Sequence, residues 1–199
     1  ELVVVEDYSE LESPEDFLTE ICSQYQVELN YIKPKINLGP YDAFRLAIRS
    51  SKGDLIFLSD QDDVWDNERV KKAIPYHQKS ILVVSNGKSF DQETYEEETL
   101  YSELSTNFLG ALTRNRVIGA TLSIQGGYAR HLARTFSFYP MHDWVIYLAS
   151  IILKKKILLT NEELIHYRRH SNTYTGRSKN NLFTRIQFRV SLLIKSLTI

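Results

Sequence analysis

The chain has 199 residues, 43% hydrophobic and 25% charged, with 24 basic and 25 acidic side chains and a formal net charge of -1. This composition supports a buried core, which excludes a disordered chain, and it carries no net positive field that would gather nucleic acid. The single cysteine, Cys22, excludes an internal disulfide framework and a cysteine-rich zinc site, and it reads as a small core hydrophobe.

Residues 2–5, LVVV, form a β-branched run and read as a buried strand. The acidic N-terminus lacks the basic leader of a secretory signal, so a cytoplasmic location is expected. Ser13-Pro14-Glu15-Asp16 reads as an N-cap, a proline at the first helical position and an acidic first turn, with a helix to about residue 25. A second strand is expected over 27–32. Asn37-Leu38-Gly39-Pro40 is a turn, and residues 41–51 read as a helix ending near Gly53. Residues 54–59, DLIFLS, are a third strand, followed at once by Asp60-Gln61-Asp62-Asp63.

A helix is expected over 67–79, strained or broken by Pro75, and then a strand over 81–85. Strands alternating with helices, apolar along their whole length, indicate an α/β fold with a mostly parallel sheet flanked by helices. In such sheets ligands bind beyond the carboxyl ends of the strands, where Glu6-Asp7 and the Asp60–63 cluster fall. Residues 91–98 read as an acidic loop and 106–114 as a helix; 118–121 lead into a strand. Helices are expected over 127–136 and 142–153, and a strand over 163–168. The apolar run 145–153 is shorter than the roughly 20 residues of a membrane span. Residues 183–197 show an apolar stripe at helical spacing, with Arg185, Arg189 and Lys195 off it.

LIFLSDQDDVW carries the most chemistry. Three carboxylates within four residues repel one another unless a cation or hydrogen bonds offset the charge. Their hard oxygens suit Mg²⁺ or Mn²⁺, with substrate phosphates completing the shell. Read alone, the stretch is equally a solvated loop in which Asp63 caps the next helix. Asp143 alone reads as a helix cap, His170 as a loop histidine, Trp65 and Trp144 as packing, and Asn37, Gly39 and Gly119 as turn residues.

VVVEDYS, NLGPYDAFRLAI, GDLIFLSDQDDVW, NRVIGATLSI, MHDWVIYLAS and LIHYRRHSNTYTG occur in this order over roughly residues 2–176. The ordered set resembles glycosyltransferase family 2 with the GT-A fold, close to its bacterial rhamnosyltransferase-like branch. The resemblance implies a catalytic domain over 1–176, with a nucleotide-binding half (1–90) and an acceptor-binding half (91–176), and a basic amphipathic helix over 177–199. It implies that Asp62 and His170 bind Mn²⁺ or Mg²⁺, and that Glu6, Asp7, Asn37, Asp60 and Arg169 contact the donor. Asp143 becomes the general base, and Gly119 and Trp144 face the acceptor. The implied activity is inverting transfer of a sugar from a dTDP- or UDP-linked donor to a glycan or lipid-linked acceptor of a bacterial surface, without nucleic acid as partner.

The sequence departs from the family pattern in places. The family opens with a strand ending in a Pro-x-Tyr-Asn type motif and a helix, whereas this chain opens at what resembles the second strand. Glu6 and Tyr8 replace the usual Asp and Gly, and Asn86 stands where relatives often carry Asp. Two other readings therefore stand beside the first. One is an inactive member or fragment acting as a binding module. The other is a haloacid-dehalogenase-like phosphotransferase, with Asp60 as nucleophile and Asp62 as acid/base. The tail 183–199 suits an anionic membrane face or docking onto protein.

Overall fold

The computed structural model describes residues 1–8, 12–91, 97–101, 107–113, 115, 117–138 and 141–169, together with 186, 187, 190 and 194. The first unit is a parallel crossover. Strand β1 (Leu2–Val5) pairs with β2 (Leu29–Ile32), and helix α1 (Glu15–Gln24) connects them. The chain then turns at Asn37, whose Oδ1 accepts the Gly39 N–H at 3.0 Å. Gly39 has φ of 73°, a conformation open to glycine at little cost, and opens α2 (Gly39–Ser50).

The larger sheet is mixed. After β3 (Leu55–Phe57), β4 (Val64–Trp65) and α3 (Arg69–His77) come β5 (Leu82–Asp91), β6 (Glu97–Thr99) and α4 (Phe108–Thr113). A 3-10 turn at Gly119–Thr121 feeds β7 (Leu122–Gln125), followed by α5 (Gly126–Thr135), α6 (His142–Ile152) and β8 (Ile157–Arg169). The strand order is β3-β7-β5-β8-β4, with β6 on β5. β5 runs parallel to β8, while the β3–β7, β5–β7, β5–β6 and β4–β8 pairs are antiparallel. One sheet thus joins strands from both expected halves of the chain.

The core lies where these strands meet the helices. Leu82, Val83 and Val84 of β5 and Leu122 and Ile124 of β7 are fully buried. Helix α6 is buried from Asp143 to Ser150, as expected of a helix apolar on nearly all sides. Among the described residues no helix is long and apolar enough to cross a membrane.

Four expectations change. Ser13 does not cap α1: Pro14 holds the cap position without a side-chain bond, and the Ser13 hydroxyl donates to Glu6 Oε2 at 2.8 Å. Helix α3 continues through Pro75 and stops two residues later at His77. The two-residue β4 and the acidic β6 were not expected, since the first is too short to show a period and the second is polar; each is set by a partner strand. The β8 strand is also far longer than 163–168. The tail helix over 183–197 lies outside the described residues apart from the four named above.

Candidate active site

The acidic loop leaves β3 at the sheet's carboxyl edge. Burial pushes the Asp60 carboxyl up to about 6, and the charges of Asp62 and Asp143 push it the same way. Asp63 is also raised to about 6 by burial, against the Arg168 N–H that bonds its Oδ1 at 3.2 Å. Asp63 therefore does not cap α3. It ties the loop to β8, and the Arg168 guanidinium adds a bond to the Asp62 carbonyl at 3.0 Å. The Arg168 head also lies 5.2 Å from the Phe90 ring centroid.

Arg69 fixes the loop from the other side. It is 2% exposed, and its guanidinium donates to the carbonyls of Leu58 at 3.3 Å, Leu122 at 3.4 Å and Ala120. It stacks 3.9 Å from the Trp65 ring centroid. Burial lowers its pKa to about 9, which still leaves it charged at neutral pH. One side chain thus binds the end of β3, the 3-10 turn and β7 together. The sequence offered no signal for this, because an arginine in a polar helix start reads as solvated.

Asp143 sits in the first turn of α6 and is 4% exposed. Its Oδ1 accepts the Trp144 N–H at 2.6 Å and the Asn115 amide at 3.0 Å, and the Gly119 N–H also bonds the carboxylate. Burial nevertheless lifts its pKa to about 6, because these donors offset only part of the desolvation. A chain of bonds holds the turn that presents Gly119. Asn86 bonds Tyr101 through both its oxygen (3.1 Å) and its amide (3.0 Å), and the Tyr101 hydroxyl accepts the Ile118 N–H at 2.6 Å. A Cβ on Gly119 would collide with Nε2 of His142, whose ring stacks on Phe44 at 3.9 Å between centroids. Burial lowers the His142 pKa to about 3, so the ring is neutral.

At the carboxyl end of β1, Glu6 is buried in a polar network. Its Oε2 accepts from Ser13 and from the Tyr31 hydroxyl, and Oε1 pairs with Lys33 at 3.1 Å. These partners accompany its burial. Asp7 Oδ1 accepts the Leu38 N–H at 2.6 Å, which joins the β1 edge to the Asn37 turn. Asp7 and the Asn37 turn therefore meet at one edge of the molecule.

The structure brings Asp60, Asp62 and Asp143 into one electrostatic group and places Gly119 on Asp143. It corrects the reading of Trp144 as an acceptor platform. The ring is 4% exposed in the core and its Nε1 donates to the Ala111 carbonyl at 2.6 Å, so no face is open to a sugar. The Arg169 side chain and the whole of His170 lie outside the described residues. Among those described, no group of three His, Cys, Asp or Glu residues is disposed to hold a metal ion. The residues still fit a cation that takes one or two carboxylates and draws its other ligands from substrate phosphates. Asp60 and Asp62 are hard oxygen donors whose mutual repulsion such a charge would relieve.

Carboxylates gathered beyond the strand ends of an α/β sheet stand where such sheets bind their ligands. The profile of the family described as glycosyl transferase family 2 matches residues 1–136, and the chain belongs to that family. This membership displaces the phosphotransferase reading. A search of curated proteins gives no match. The chain is similar in fold to S. aureus TarS residues 1–349 in complex with UDP-GlcNAc, with a TM-score of 0.71 at 12% identity over 97% of this chain and 56% of that one. It also matches the UDP complex of the same protein, with a TM-score of 0.61 at 13% identity over 99% of this chain and 62% of that one. The chain thus spans less than two thirds of the solved chains it resembles.

Proposed function

We propose that this chain forms the donor-binding and catalytic part of a metal-dependent, inverting glycosyltransferase. The observation that carries the reading is the convergence of Asp60, Asp62 and Asp143 from distant parts of the sequence, with Asp143 raised to a pKa of about 6. Asp7 and Asn37 would contact the base and ribose of the donor, and Arg169 its diphosphate. Asp62, with Asp60 and His170, would hold Mn²⁺ or Mg²⁺, whose charge stabilises the departing diphosphate. Asp143 then accepts the proton of the acceptor hydroxyl as that oxygen bonds the anomeric carbon and the bond to the diphosphate oxygen breaks on the opposite face. The leaving diphosphate needs no protonating acid, so one base suffices. Asn115 and the Trp144 and Gly119 N–H groups orient that base.

The TarS complexes with UDP and UDP-GlcNAc support a uridine diphosphate donor, and the ordered motifs support the rhamnosyltransferase-like branch, so a dTDP-sugar stands beside it. The acceptor would be a bacterial surface glycan or its lipid-linked precursor, with residues 183–199 resting on the inner membrane face. The test is release of UDP or dTDP from a panel of nucleotide-sugars with Mn²⁺. Release from one donor that disappears in Asp143→Asn supports the reading. Donor binding without turnover in the wild-type protein would favour the binding-module alternative.

A further inference from the structure

His142 is the first residue of α6, and Asp143 follows it. The imidazole is held between two other elements. One face stacks on Phe44 of α2, with centroids 3.9 Å apart and planes 18° from parallel. Its Nε2 edge lies against Gly119: the three atoms nearest a Cβ built on that glycine all belong to this ring. Gly119 in turn donates its N–H to the Asp143 carboxylate. The Gly119 turn is also tied through Ile118, whose N–H bonds the Tyr101 hydroxyl and whose carbonyl accepts the Thr121 hydroxyl at 2.7 Å. Helix α2 opens at the Asn37 turn, where the Leu38 N–H bonds Asp7. The ring therefore joins the helix that leaves the Asp7 edge to the turn that donates to Asp143.

Hydrogen bonding does not explain a histidine at this position. Nε2 is buried and has no partner among the described residues, an unfavourable state for a ring nitrogen. Shape and charge explain it better. Imidazole is the smallest aromatic ring among the side chains, and a single carbon added at Gly119 would already collide with it. The ring is also neutral, since burial lowers its pKa to about 3. A cation beside Asp143 would instead favour the ionised carboxylate and weaken it as a base. An unsatisfied group in a well-packed region is the kind of local compromise that functional sites carry.

We propose that His142 is a positioning residue for Asp143. Its ring, pressed between Phe44 and Gly119, fixes the Gly119 N–H on the Asp143 carboxylate and so aims that carboxylate at the acceptor hydroxyl. It acts through Asp143 and not on the substrate. The role of Asp143 as base rests on the function proposed above; the contacts of the ring do not.

Two readouts test this on His142→Ala, His142→Asn and Phe44→Leu. The first is amide hydrogen exchange, which needs no turnover. Gly119 should exchange at least ~10-fold faster in all three variants, with the amides of β5 and β7 unchanged. The second is steady-state transfer from the nucleotide-sugar that the wild type uses. kcat should fall ~10–100-fold in both His142 variants and less in Phe44→Leu, with KM for the donor within ~3-fold of wild type. Unchanged exchange at Gly119 would overturn the proposal. Faster exchange throughout the core would overturn it too, by marking the ring as a general packing group. A wild-type kcat in His142→Asn would place the role on a ring nitrogen, and a raised donor KM with kcat kept would place it in donor binding; either result overturns the proposal. If the wild type itself transfers no sugar, the proposed function fails, and exchange at Gly119 still decides whether the ring positions the carboxylate. Phe44 is only partly buried, so Phe44→Leu keeps the test open should the His142 variants not fold.

Discussion

Asp60 and Asp143 come from opposite halves of the chain, yet the charge of Asp143 helps to raise the Asp60 carboxyl to about 6. The first follows β3 and the second opens α6, and the Arg69 and Asn115 contacts hold their two supports in place. Like charges gathered in a partly buried site cost stability, and the arrangement gains its sense from a ligand that supplies positive charge or takes up a proton.

Asp143→Asn separates function from stability. Loss of the base should slow transfer by about 10²–10⁴-fold. The folded pKa of about 6 lies above the ordinary 3.8, so the native state holds this proton more tightly than the unfolded chain. The contribution of Asp143 to stability therefore falls as pH rises from about 4 to about 6, and above that the buried charge costs on the order of 3 kcal/mol. Asn115 can still donate to the new amide oxygen. Thermal unfolding should show the variant at least as stable as wild type near pH 7, with the gain vanishing near pH 4.

The same shift sets the pH dependence of transfer. kcat/KM should rise about tenfold per pH unit on the acidic side and level off above about pH 6, as Asp143 loses its proton. A profile still falling below about pH 4 only, where an ordinary carboxyl titrates, would remove Asp143 from the role of base.

Arg69 should be among the costliest positions outside the apolar core. Arg69→Ala leaves three buried carbonyls without their shared donor and should lose at least ~3 kcal/mol in urea unfolding. Arg69→Lys should recover less than half of this, because an ammonium cannot reproduce the planar fork or the stack on Trp65.

Gly119 and His142 should be energetically coupled. Gly119→Ala forces a methyl group against the His142 ring and should cost ~1–3 kcal/mol. In a double-mutant cycle His142→Ala opens that space, so the pair should cost less than the two single changes added, by ~0.5–3 kcal/mol.

Much of the fold was legible because the strands are apolar runs bounded by strong punctuation. LVVV and DLIFLS both become strands, and the Asn37–Gly39 turn opens a helix as read. The acidic loop stood out because its carboxylates follow a buried strand directly. What stayed hidden was set by distant partners. β4 is two residues long and exists because β8 pairs with it. Trp144 looked like a sugar platform, but its indole N–H is spent on Ala111 within the core. Ser13 had the sequence of a cap, yet its hydroxyl serves Glu6 across the turn. Asn115 stood in the sequence only as a member of a longer motif and Asn86 only as a departure from the family pattern, and nothing local showed that Asn115 would bond Asp143 or that Asn86 would bond Tyr101.

The most direct measurement is calorimetric titration of the folded protein with UDP, dTDP and GDP, with and without Mn²⁺, in wild type and Asp62→Asn. UDP or dTDP should bind with Mn²⁺, affinity should fall at least ~10-fold without it, and Asp62→Asn should lose the metal-dependent part. Equal binding by wild type and Asp62→Asn, or no binding of any of the three nucleotides, would contradict the claim that these carboxylates form a metal-dependent donor site.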